Sequence, residues 1–115
     1  MKKSNKNPDS ENTALKYNPI TLNKSFMLEF REGANLNDKN NELIFMIFNE
    51  GVELVGEESM LVDITIAFRD KSGVKQKKIR MDRSNAETIT WKDYNITLSN
   101  PDFNNKTVII KIEKT

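Results

Sequence analysis

Four groups of side chains have a type and spacing that invite a chemical reading. The densest charge lies in Lys71, Lys75, Lys77, Lys78, Arg80 and Arg83, and Lys75, Lys77, Lys78 and Arg80 within it form a candidate anion patch. Cations gathered in this way attract phosphates, nucleic acid or a membrane surface through their summed field. The same residues on an edge strand deter sheet-to-sheet pairing, and no aromatic is interleaved to stack on bases, so the structural role is favoured. Asn35, Asn37, Asp38, Asn40 and Glu42 offer oxygen donors close together, with Glu50, Glu53, Glu57 and Glu58 further on. The spacing and the central glycine of a helix–loop–helix calcium site are missing, which makes an Asn-rich turn the expectation. Two carboxylates facing across a cleft would permit glycoside hydrolysis, but nothing here places two across one. Trp91-Lys92-Asp93-Tyr94 is a compact aromatic motif, readable as a ligand platform or, preferably, as a core anchor at a strand corner. Finally, Leu43 to Phe48 is apolar throughout. Burial on both faces is the expectation; if one face is open, Ile44, Met46 and Phe48 become a candidate partner or dimer surface.

Composition excludes much else. The chain has no histidine and no cysteine. That removes Ser-His-Asp and Cys-His catalysis, thiolate nucleophiles, disulfides, zinc fingers and most transition-metal sites. No catalytic, cofactor-binding or metal-binding set is expected. Lysine plus arginine, 18, nearly balances aspartate plus glutamate, 17. A dedicated nucleic-acid binder carries a clear basic excess, so no nucleic-acid partner is expected. Asn23-Lys24-Ser25, Asn95-Ile96-Thr97 and Asn105-Lys106-Thr107 match the N-glycosylation triplet, as chance allows in so Asn-rich a chain.

The elements that must position these groups read as short strands. Residues 1–24 hold Pro8 and Pro19 with many Asn, Lys and Ser, and no periodic apolar face. They read as a polar tail or tether, with Tyr17 to Leu22 as a candidate edge segment against the domain. The basic start, Met1 to Lys6, has no apolar run after it, so a signal peptide is not expected within the chain. Such an arm is what remains when a lipoprotein loses its signal and anchoring cysteine; a cytosolic protein's flexible start has the same composition. No stretch is long or apolar enough to span a membrane as a helix, so membrane attachment would need a lipid anchor that this chain lacks.

From residue 25 to 115 the pattern is that of one domain. Phe26, Leu28 and Phe30 alternate with Met27 and Glu29, a half-buried strand. Gly33 to Asn41 reads as a loop, and Glu50 to Ser59 is ambiguous between strand and loop. Val62, Ile64, Ile66 and Phe68 alternate with Asp63 and Thr65 in the clearest strand. Asp70 to Gly73 is a hairpin turn, and Val74 to Met81 returns with Ile79 and Met81 inward. Ser84 to Glu87 has the spacing of a capped helical turn. Ile89 to Trp91, then Tyr94, Ile96 and Leu98, then Val108, Ile110 and Ile112 supply the remaining strands, with Ser99 to Lys106 a turn around Pro101. About seven strands at this spacing predict an all-β, antiparallel two-sheet sandwich of immunoglobulin-like type.

The run from Phe26-Met27-Leu28-Glu29-Phe30-Arg31-Glu32-Gly33 through Leu43 to Phe48, Val62 to Phe68, Tyr94-Asn95-Ile96-Thr97-Leu98, Pro101 and Val108 to Ile112 resembles small β-sandwich domains of Bacteroidetes-type envelope lipoproteins of unknown function. The resemblance implies a location at the cell envelope or periplasm, and no activity. The expected function is a non-enzymatic binding or structural module, tethered to the envelope by its arm, with another protein as its partner. The alternative is a soluble cytoplasmic interaction factor, of inhibitor or immunity type, acting through an exposed strand or apolar face.

Overall fold

In the computed structural model, residues 17–56 and 60–115 are described, Tyr17 by its backbone alone. They form nine strands: β1 Tyr17–Pro19, β2 Phe26–Leu28, β3 Gly33–Asn37, β4 Leu43–Leu54, β5 Leu61–Asp70, β6 Gly73–Asp82, β7 Glu87–Trp91, β8 Tyr94–Asp102 and β9 Thr107–Lys114. They make one sheet in the order β1-β3-β4-β5-β6 and a second in the order β2-β9-β8-β7. The fold is therefore a two-sheet sandwich, and no helix occurs among the described residues. All pairings are antiparallel except β1 with β3. An immunoglobulin domain sets non-consecutive strands side by side within each sheet. Here too each sheet has one such pair, β1 beside β3 and β2 beside β9, while β3 to β6 and β7 to β9 run as meanders; the chain changes sheet at β2 and again between β6 and β7.

Alternation along each strand fills the space between the sheets. Ala34 and Leu36 of β3, Phe45 and Ile47 of β4, Val62 to Phe68 of β5 on even positions, Ile96 and Leu98 of β8, and Val108, Ile110 and Ile112 of β9 are buried together. Aromatic edges lock this core. Phe45 meets Phe68 at 6.0 Å and Tyr94 at 5.4 Å, both edge-to-face, and Phe68 stacks on Trp91 at 4.5 Å. Such pairs add about 0.5–1.5 kcal/mol beyond the area they bury.

Five readings are changed or settled. Gly33 to Asn37 is a strand, not part of a loop. Its two inward residues, Ala34 and Leu36, give a weak apolar signal, but β3 gains a full ladder against β4, and tertiary pairing overrides local propensity. Glu50 to Leu54 continues β4 past a bulge at Asn49 and Gly51; Glu57 to Ser59 lie outside the described residues. Ser84 to Glu87 is not helical. The Asp82 carboxylate accepts both the Ser84 N–H, at 2.8 Å, and its hydroxyl, at 2.6 Å, so Ser84 closes an Asx turn and cannot cap a helix. Phe30 does not continue the inward face of Phe26 and Leu28: it is exposed, and directly after it Arg31 turns the chain with a left-handed φ of 64°. β8 likewise runs on through a buried Pro101 to Asp102 before turning.

The edge segment expected at 17–22 is present. β1 pairs with β3, Ile20 is buried, and the Ile20 N–H donates to the Asn35 carbonyl at 2.9 Å. The polar arm before it, including Leu15, lies outside the described residues.

Candidate functional site

The site is built on β4. Phe45, Ile47 and Asn49 point between the sheets, so Met46 and Phe48 point outward, whereas Ile44 is the extra residue at the β3–β4 bulge and packs against the core; each of the three is half-buried. Met46 and Phe48 share one face, as strand geometry requires. Met46 lies opposite Asn35 on β3 and Arg69 on β5, and Arg69 lies opposite Val74 on β6, which is 67% exposed. Phe48 lies opposite Gly33 and Ala67. Ala67 faces outward yet is buried. Gln76, its neighbour on β6, donates from Nε2 to Oε1 of Glu50 on β4 at 2.5 Å, which carries the bond across β5 at Ala67. The outer face of the five-stranded sheet is therefore part apolar, part polar, and neither sealed nor fully open.

The structure does not bring Lys75, Lys77, Lys78 and Arg80 onto one surface. Strand alternation puts Lys75 and Lys77 in line with the inward Ile79 and Met81, and puts Lys78 and Arg80 on the outer face. Arg80 is already engaged: Nε and a terminal nitrogen donate to the two Asp63 oxygens at 2.9 and 3.1 Å. This hydrogen bonding holds the Asp63 carboxyl below its ordinary range. β6 is an edge strand, where an inward-leaning lysine such as the half-buried Lys77 discourages a further strand from adding.

The oxygen-rich stretch spends its donors and acceptors on itself. Asn35 donates to Asn37, Asn37 donates to Asn41, and one Asp38 oxygen accepts the N–H groups of Asn40 and Glu42. Among the described residues no three acidic side chains gather in a metal-holding cluster.

Trp91 and Tyr94 belong to the aromatic core. One face of the Trp91 indole is stacked on Phe68, and the Lys92 ammonium lies 5.8 Å from the ring centroid. Lys92 also pairs with Asp70, joining the β7–β8 turn to the end of β5. Its ammonium, with the Ser72 hydroxyl and N–H, holds the Asp70 carboxyl down to a pKa of about 2. These residues line a hollow of about 300 Å³ with Gly73, Val74 and Lys75. The indole Nε1 is buried there without a hydrogen-bond partner.

No family model, curated protein or solved structure matches the chain. Its own geometry must carry the reading, and the richest geometry surrounds Asn49.

Asn49 is fully buried. Its Nδ2 donates to the Leu28 carbonyl at 3.0 Å and the Lys106 carbonyl at 2.8 Å, and its Oδ1 accepts the Gly51 N–H at 3.0 Å. Its backbone carbonyl accepts the Arg31 N–H at 2.7 Å. One side chain on β4 thus ties the bulge in its own strand to the end of β2 and the approach to β9 in the other sheet. Outside it opens a hollow of about 340 Å³ lined by Phe30, Arg31, Phe48, Asn49 and Glu50. The Arg31 guanidinium lies 5.1 Å, and the Lys106 ammonium 5.6 Å, from the centroid of the Phe30 ring. Sequence reasoning passed over Asn49, Phe30 and Lys106 as a group. A signal existed: continuing the inward alternation of Phe45 and Ile47 lands on an asparagine, with Gly51 two residues later marking a bulge.

Proposed function

We propose that this chain is a non-enzymatic protein-binding module that docks its partner on the outer face of the five-stranded sheet, around Met46 and the hollow beside Phe48. The observation that carries the reading is the half-buried, partly apolar row on that face, continuous with a hollow that holds an exposed aromatic, Phe30. Interfaces favour this mixture of aromatic, methionine and arginine groups. The polar composition of residues 1–16, ahead of β1, with the resemblance to envelope lipoprotein domains, supports presentation of the module at the cell envelope on a tether. A cytoplasmic interaction factor using the same face is the second reading.

The test is site-specific photo-cross-linking in the source cell. A photoreactive residue replacing Met46 is expected to give a discrete adduct, and one replacing Lys111, on the other sheet, is not. Equal labelling from both positions, or none from 46, would overturn the docking face. Acyl labelling of the native precursor then separates envelope from cytoplasm.

A further inference from the structure

We infer that the hollow beside Phe30 is a receptor for an acidic segment of the partner protein, one that presents carboxylates next to an apolar side chain. The inference rests on the docking reading above and gives that partner its chemistry.

Two cations lie against one exposed ring, and among the described residues neither Arg31 nor Lys106 has an ion-pair partner. Both are held by Asn49, through the Arg31 N–H and the Lys106 carbonyl. Both also adopt left-handed backbone, at φ 64° and 57°, which a residue with a side chain keeps only when its surroundings fix it. One buried residue therefore holds both strained residues, Arg31 through its backbone carbonyl and Lys106 through its side chain, with both charges close to the Phe30 ring. Glu50, the carboxylate in the lining, is turned to Gln76 and so is partly neutralised by a donor of its own. The hollow, about 340 Å³, is at the small end of ligand-binding sites and suits one apolar side chain. A carboxylate on the same segment would give Arg31 and Lys106 charge-assisted hydrogen bonds, the stronger kind. Phe30 and Arg31 together resemble the aromatic and arginine anchors that dominate interface energetics.

The probe is a set of N-acetylated hexapeptides in which aspartates flank one Phe or Leu, titrated into the full ¹⁵N-labelled chain. The matched peptides carry Asn for Asp; inorganic phosphate, a single-stranded DNA oligonucleotide and phosphatidylglycerol vesicles are the other arms. The acidic peptides are expected to shift the Arg31, Asn49 and Lys106 amides and to bind about tenfold or more tightly than their Asn counterparts. The double variant Arg31→Gln with Lys106→Gln is expected to lose that preference while Trp91 emission stays that of the folded chain. Equal binding of acidic and Asn peptides would sink the inference without any variant. So would tighter binding to phosphate, the oligonucleotide or the vesicles. An adduct from position 46 without acidic preference would leave the docking face standing and overturn only this step.

Discussion

Asn49 and Asp70 both fasten one sheet of the sandwich to the other, and they do it by opposite means. Asn49 is neutral, fully buried, and bonded to backbone groups: two carbonyls of the facing sheet and the N–H of its own bulge. Asp70 is charged, sits at the end of β5, and is held by a half-exposed Lys92 ammonium together with the hydroxyl and N–H of Ser72 in its own turn. The first fixes where strands end and how Arg31 and Lys106 are held; the second fastens a turn. A buried amide with every partner in place has no solvent to fall back on when one is lost; in the Asp70 pair the carboxylate is nearly covered, but the half-exposed Lys92 ammonium can turn to water. The two clamps should therefore fail differently.

The largest expected effect is at Asn49. Asn49→Ala leaves the Leu28 and Lys106 carbonyls and the Gly51 N–H short of a partner, and should cost about 2–4 kcal/mol. Asn49→Asp keeps the shape but sets an acceptor against two carbonyls, and should be no better tolerated. Urea denaturation measures both. A loss for Asn49→Ala no greater than for an exposed Asn on a loop, such as Asn40, would mean that the amide does not hold the sheets together.

The middle effect depends on pH. The folded Asp70 carboxyl lies near 2, below its ordinary value of 3.8. A depressed carboxyl contributes stability that is complete above the unfolded value and is lost as pH falls toward the folded one. Wild-type melting temperature should therefore drop between about pH 4 and 2 more steeply than that of Asp70→Asn. Asp63, Asp82 and Asp102, also depressed by their hydrogen bonds, leave a residual slope in that variant. Asn49→Ala should melt lower throughout but follow the wild-type slope. Parallel curves for wild type and Asp70→Asn would remove the contrast between the clamps.

The same contrast explains what was legible in the sequence. Val62 to Phe68, Tyr94 to Leu98 and Val108 to Ile112 advertise their inward faces by strict alternation, and the structure buries those faces. Asp70-Lys71-Ser72-Gly73 spells its turn locally, since the Asp70 side chain accepts the Ser72 N–H two residues on, and Gly73 takes a φ of 123°. Asn49 spells nothing locally: its partners are 21 and 57 residues away. β3 was obscured for the same reason, because its ladder to β4 is long-range while Asn35 and Asn37 look like turn residues. The basic run lies on an edge strand, as its favoured reading expected. Lysines adjacent in sequence alternate between faces on a strand, so a dense patch on paper divides in two. The outward position of Met46 and Phe48 followed from the same rule, but the bulge at Ile44 and the small neighbours of Phe48, Gly33 and Ala67, are revealed only by the register.

The smallest effect is the most local. Trp91 is the chain's single tryptophan, so its emission reports on the Asp70 clamp without interference. The Lys92 ammonium lies 5.8 Å from its ring, and a nearby cation shifts indole emission by favouring one of its charge distributions over the other. Lys92→Gln removes that charge and the partner of Asp70, while leaving the Phe68 stack and the Asn49 bonds untouched. A change in emission maximum at neutral pH is expected, with a melting temperature far closer to wild type than that of Asn49→Ala. Wild-type emission should move the same way as acid protonates Asp70 and frees the lysine. If Lys92→Gln instead unfolds the domain as readily as Asn49→Ala does, the rim ion pair is as structural as the buried amide, and the difference between polar clamps inside and at the edge of this sandwich disappears.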